Sequence, residues 1–263
     1  MLLALLAAPA MADALVACDI VSIDAVLPPA SRAEVPLDAR VVAFPTYGGC
    51  VEAVRIGMRL SDAEGEILAE TFHDLGEDLP VLLALEPEAP LPEDSQLLLE
   101  IWPDQGAANT VFFNFQTGAG WLQGVPEGDP LIGERELIAT EDDLGWWVSV
   151  DLIARGIADP DDLSVLILND AQGVARAAAP SGRDVRFITG WWVDDAPDEV
   201  CVELVQVDGG GQETGRSALT CGAPELRHIQ PDEPSGRCDV GGGAGLMAAL
   251  VAASAVIRRR RRP

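Results

Sequence analysis

The chain has no lysine, only two histidines and a single tyrosine among its 263 residues. Its seventeen basic residues are therefore all arginines, set against 43 acidic ones, and five of them stand together at the C-terminal end. A body this acidic is repelled by the phosphates of nucleic acids and by anionic bilayer surfaces, so nucleic acid is not an expected partner. The shortage of histidine also limits acid–base chemistry: His73 and His228 lie far apart in sequence. No H-E-x-x-H, G-x-S-x-G or P-loop pattern occurs, and the cysteine spacing suits no zinc cluster. His73 beside Asp74 could form an acid–base pair, but it reads first as a surface histidine at a strand end. These absences put a non-enzymatic protein ahead of an enzyme.

Cysteine is scarce too, but its placement is informative. Cys201 and Cys221 are centred on residue 211, inside Asp208-Gly-Gly-Gly-Gln212. A turn there would set the two cysteines opposite each other on antiparallel strands, within bridging distance. The same register would pair Glu203 with Leu219, Val205 with Ser217 and Val207 with Gly215, leaving Val202, Leu204 and Gln206 on the other face. Cys18 and Cys50 would close a second, longer loop. Two such disulfides fit an exported protein and not a cytosolic one.

Both ends of the chain agree with export. Residues 1–14 are rich in Leu and Ala and offer A-x-A cleavage signals at Ala10-Met-Ala12 and Ala12-Asp-Ala14, although no basic residue precedes the apolar run. Leu15-Val-Ala-Cys18 offers a second reading, a lipoprotein cleavage box. At the other end Gly241 to Ile257 is uncharged over seventeen positions and is followed by Arg258, Arg259, Arg260, Arg261 and Arg262. As a helix this run would be ~25 Å long, enough for a thin bilayer core, with the arginines marking the cytoplasmic side. The order cysteine, apolar helix, arginine run over 238–263 resembles the MYXO-CTERM sorting tail of myxobacterial surface proteins. The resemblance implies processing or lipidation at Cys238 and a membrane partner for the helix.

Roughly 220 residues lie between these ends, enough for two domains of ordinary size. Over 18–120 short apolar runs alternate with turns: Ile20 to Val26, Arg40 to Phe44, Val51 to Leu60, Ile67 to Phe72, Val81 to Leu85, Leu97 to Trp102 and Val111 to Gln116. Such a series predicts an antiparallel sandwich. Pro29-Ala-Ser-Arg-Ala-Glu-Val35-Pro-Leu-Asp38, the strand ending at Phe44, and Phe115-Gln-Thr-Gly118 resemble the SbsA type of bacterial Ig-like domain. Over 121–222, Val200 to Asp208, the glycine turn and Gly215 to Cys221 resemble the last strands of a fibronectin type III domain. A polar, proline-rich stalk is expected over 223–237. The predicted fold is thus all-β: two Ig-like or fibronectin-like antiparallel β-sandwiches followed by a C-terminal transmembrane helix.

Two features could carry binding. Gly145-Trp-Trp-Val148 and Gly190-Trp-Trp-Val193 each place adjacent tryptophans on opposite faces of a strand, one for the core and one for the surface. Trp147 and Trp192 are the candidates to stack on a glycan. Clustered carboxylates, led by Asp159, Asp161 and Asp162, are a candidate calcium site, though none has EF-hand spacing and a solvated acidic loop is the simpler reading. No other cofactor is implied. The sequence therefore predicts a membrane-anchored cell-surface protein serving adhesion, envelope structure or display, with a glycan or protein partner at the surface. The alternatives are a glycan- or calcium-binding surface module and, behind these, an extracellular hydrolase.

Overall fold

In strand β3 (Arg55–Asp62) Ile56, Met58 and Leu60 are buried while Arg55 is exposed. In β6 (Gln96–Pro103) Leu97, Leu99 and Ile101 are buried in the same alternation. This two-residue period is that of strands with one face in a core. The computed structural model describes residues 21–47, 55–75, 79–103, 110–125, 128–142, 145–182 and 184–228. Among them are sixteen β-strands and no helix. The expected leader, the Cys18–Cys50 pair, Cys238, the apolar run and Arg258 to Arg262 lie outside the described residues. No described helix is long and apolar enough to cross a membrane.

The first sandwich pairs a sheet of β1 (Val21–Leu27), β2 (Val41–Tyr47) and β5 (Leu83–Leu85) with a second sheet. In that second sheet β4 (Ile67–Asp74) and β6 flank β3, and β7 (Val111–Gln116) lies beyond β6. Phe44, Leu83 and Leu85 from one sheet meet Met58, Leu99 and Phe115 from the other in one apolar cluster. The expected turn after β3 is present: the Asp62 carboxylate accepts the amides of Glu64 and Glu66 at 3.0 and 2.8 Å.

The second sandwich follows the same plan. One sheet has the order β12 (Val185–Val193), β9 (Gly145–Arg155), β8 (Leu131–Asp142), β16 (Glu225–His228). The other has β11 (Ala175–Pro180), β10 (Val165–Asp170), β13 (Val200–Val207) and β14 (Glu213–Arg216), with β15 (Thr220–Gly222) also on β13. Val148, Val150 and Leu152 pack against Leu166, Leu168, Val202 and Leu204 between them.

Cys201 and Cys221 stand opposite each other and are joined as a disulfide, with their Cα atoms 4.0 Å apart. The rest of the expected hairpin register is corrected. Val205 faces Arg216, Gln206 faces Gly215 and Val207 faces Glu213, so the pairing has slipped between the bridge and the turn. One slip lies between Gln206 and Val207, and a second at Ser217–Leu219, where the strand is interrupted. There the Ser217 hydroxyl accepts the Leu204 amide at 2.9 Å while its own amide donates to the Leu204 carbonyl at 2.8 Å. A side chain that can take a ladder bond lets the backbone bulge without leaving an unpaired amide. The stalk boundary also moves: Glu225–His228 pair in parallel with Ile138 to Glu141, covering the free edge of β8.

The core of the first sandwich extends onto the second, and β10 lies between the two apolar clusters. Leu163 and Val165 belong to the apolar cluster of the first sandwich, while Leu166 and Leu168, on the other side of β10, belong to the second. Ile167 and Ala178 add to the first cluster. Val205 and Val207, cross-strand neighbours of Ile167 and Val165, are buried as well. Backbone bonds close the junction: the Arg40 amide donates to the Gly209 carbonyl at 2.9 Å, and the Leu122 amide to the Asp38 carboxylate at 2.8 Å. Gln206, wholly buried, donates to the Ile157 carbonyl and accepts from the Ile157 amide at 2.9 and 2.6 Å. Truncating a buried leucine removes about 2–5 kcal/mol. Because Leu163 belongs to the first core and lies in the chain of the second, Leu163→Ala is expected to lower a single calorimetric transition. Two well-separated transitions in the unaltered protein would contradict this joining of the sandwiches at β10.

Candidate functional site

The acidic loop at 159–162 uses its carboxylates on its own chain. Asp159 accepts the amides of Asp161 and Leu163 at 2.8 and 2.7 Å, and that of Ser164 as well. Buried Asp161 accepts the Gln123 amide at 2.7 Å, tying the linker to the loop. Asp162 is exposed, in a left-handed conformation with φ 49°, and its carbonyl accepts from Arg32 across the junction at 3.5 Å. These contacts make the loop part of the clasp between the sandwiches. Among the described residues one trio of ligand atoms is close enough to share a metal, that of Glu199, Cys201 and Cys221. There the two sulfurs are bonded to each other.

The histidines are also held by structural partners. His73 shares a 3.1 Å hydrogen bond with the Ala84 carbonyl. Asp74, its neighbour in sequence, pairs instead with Arg55 at 2.7 Å. The alternation of the strand directs the two side chains to opposite faces. His228 contacts the Glu141 carboxylate, and its ring meets Trp146 edge-on at 5.4 Å.

The sheet faces turned away from the two cores hold the remaining chemistry. Adjacent tryptophans do divide between faces: Trp146 is buried, Trp147 is half-buried, and Trp192 is 39% exposed. Sheet register pairs Trp147 with Trp192, and their rings meet at 5.2 Å and 63°. A Cβ on Gly190 would lie 2.5 Å from the Trp147 ring, so the absent side chain is what lets the indole rest on the sheet. The same outer face carries Thr140, Ser149 and the ion pair of Asp151 with Arg186.

The first sandwich contains a counterpart that its sequence did not single out. A Cβ on Gly57 would lie 2.4 Å from the Trp102 ring, and Phe72 meets that ring edge-on at 5.8 Å. The register places Phe72, Gly57 and Trp102 in one row across three strands. Here, however, guanidinium groups cover the aromatics: Arg59 lies 5.0 Å from the Trp102 centroid and Arg55 5.5 Å from that of Phe72. Arg59 also pairs with Glu70 and Glu100. Such cation–π contacts hold arginine and ring together.

No family model and no curated protein matches this chain. Among solved structures, it is similar to the BSP domain of a biofilm associated protein at 11% identity and TM-score 0.29. That match covers 78% of this chain and 30% of the other. The Ig1-2 module of the Drosophila receptor protein tyrosine phosphatase DLAR matches at 11% identity and TM-score 0.25, over 80% of this chain and all of its own. A two-domain fibronectin type III segment of chicken tenascin matches at 8% identity and TM-score 0.23, over 78% and 97%. Likenesses this loose lend the chain no function.

Burial holds His73 below its ordinary value of 6.5, against the smaller, opposing influence of its bond to Ala84. Just below that value the unfolded chain takes up a proton that the folded chain refuses. Stability therefore falls as pH drops through about 6.5 and levels off once the folded imidazole titrates. Glutamine keeps an N–H for Ala84 and does not titrate. His73→Gln is expected to lose less stability than the unaltered protein between pH 7 and pH 5 in urea titrations. Equal losses would refute a buried neutral imidazole.

Proposed function

We infer that this chain is an exported, non-enzymatic surface protein whose joined sandwiches serve adhesion, envelope structure or display at the cell boundary. The observation that carries this reading is the disulfide between Cys201 and Cys221. Such bonds persist in oxidising compartments and are rare in a reducing cytosol. This one links β13, a central strand, to the last strand of its hairpin, and β16 follows three residues later. By the loop-entropy model it contributes roughly 3 kcal/mol. It thus secures the part of the fold nearest the C-terminal segment, where the apolar run and the five arginines support membrane attachment. The non-enzymatic half of the reading is supported by what the ionisable groups do: Asp159, Asp161, Asp170 and both histidines hold backbone, aromatic or arginine partners.

The test uses the protein in its native cells. Peptide mapping without reduction is expected to recover Cys201 linked to Cys221, from a chain that protease added to intact cells can reach. A chain found in the cytosolic fraction with both thiols free would overturn the reading.

A further inference from the structure

We propose that the outer face of the β12-β9-β8-β16 sheet, centred on Trp147 and Trp192, binds a neutral polysaccharide. Each sandwich has a glycine in one strand on which a tryptophan of the neighbouring strand lies, with a second aromatic ring edge-on beside it. In the first sandwich arginines 55 and 59 cover that aromatic pair and Glu70 and Glu100 hold Arg59, so the surface is internally satisfied. In the second, the guanidinium groups found over rings among the described residues do not include one over Trp147 or Trp192. Arg176, the arginine over a ring in this sandwich, covers Trp191, whose register places it on the inner face with Val148. Both pairs reach solvent, with Phe72 47% and Trp192 39% exposed, but among the described residues only the first has guanidinium groups over its rings.

The chemistry of the surroundings selects the ligand. A pyranose ring with equatorial hydroxyls presents C–H bonds to an aromatic face and hydroxyl groups around its edge. Trp147 rests on Gly190, which gives a ring held against the sheet, and Trp192 stands beside it as a second wall. Thr140, opposite Trp147 on β8, and Ser149, two residues along β9, lie on the same face and supply hydroxyls. The nearby arginines on that face are held by carboxylates, Arg186 by Asp151 and Arg227 by Glu225 at 2.9 and 3.0 Å, and the exposed Glu136 lies opposite Asp151. A face whose arginines are engaged by carboxylates, on a chain of net charge −26, offers nothing to an acidic polysaccharide and repels it. The surface is open and nearly flat, as a sheet face is, and fits a chain lying across it better than a small molecule needing enclosure.

The proposal rests on the surface reading only in supposing that the chain meets polysaccharide. A protein that is found at the cell surface yet binds neither probe leaves that reading standing and removes this one. The test is titration of the full chain with cellohexaose and chitohexaose, followed by tryptophan fluorescence and by calorimetry. Binding to at least one is expected, with affinity reduced tenfold or more in Trp192→Ala and largely kept in Trp192→Phe. Because Trp192 is a surface residue, its truncation leaves the core intact. Trp121→Ala, at an exposed tryptophan in the linker, is expected to bind as the unaltered chain does. No binding to either sugar, or equal losses in Trp121→Ala and Trp192→Ala, would overturn the proposal.

Discussion

The structure depends on a pair of strands that are buried on both sides. β10 and β13 form the middle of one sheet, and one face of that sheet closes the core of the second sandwich. The other face joins the cluster of the first sandwich through Val165 and Ile167, with their cross-strand neighbours Val207 and Val205 also buried. Full burial of a side chain of this kind contributes on the order of 1.5–3 kcal/mol. A few such residues are comparable with the whole net stability of a domain, ~5–15 kcal/mol. The polar clasp around them adds geometry more than energy. Asp159 and Asp161 order the loop that leads into β10, and Gln206 holds the segment at Ile157 from inside the sheet. Unpaired, each buried group would be destabilising, so their mutual satisfaction fixes a single arrangement.

With the middle of the molecule fixed in this way, the sheet faces at either end are free to differ. The outer faces carry one device twice, an indole laid on a strand glycine, and the two copies differ in what covers it. Guanidinium groups lie over the copy in the first sandwich, and among the described residues none lies over the copy in the second. The disulfide acts at a third place, on the last hairpin, where short strands and a bulge make the pairing weakest. Core, paired tryptophans and covalent tie thus occupy separate regions of one all-β body.

Much of the fold could be read in the sequence because strand periodicity is local. The apolar run ending at Leu60 pointed to β3, and the placement of Cys201 and Cys221 about residue 211 to both the turn and the bridge. What could not be read depends on pairing between distant segments. The slip at Ser217 depends on a hydroxyl replacing a backbone acceptor, which no spacing rule expresses. The placing of β10 between the two cores was missed although its signal was present: Val165-Leu-Ile-Leu168 is a continuous apolar run, the pattern of a strand covered on both faces. Its companion on β13, Val205-Gln-Val207, hides that pattern behind a polar residue that is buried and satisfied. Trp147 and Trp192 were each legible as surface tryptophans, but only register brings them together. The row of Phe72, Gly57 and Trp102 is invisible for the same reason, since its members lie on three strands.

Hydrogen exchange tests the central role of the doubly buried strands most directly. Amides in a strand screened by two cores open only with the whole molecule, whereas edge strands open locally. Exchange followed by mass spectrometry is expected to show the slowest rates in 165–170 and 200–207, at the level of global unfolding, and faster rates in β4 and β11 at the sheet edges. Exchange in 165–170 as rapid as in β4 would mean that the sandwiches part readily at this junction, and would contradict the account.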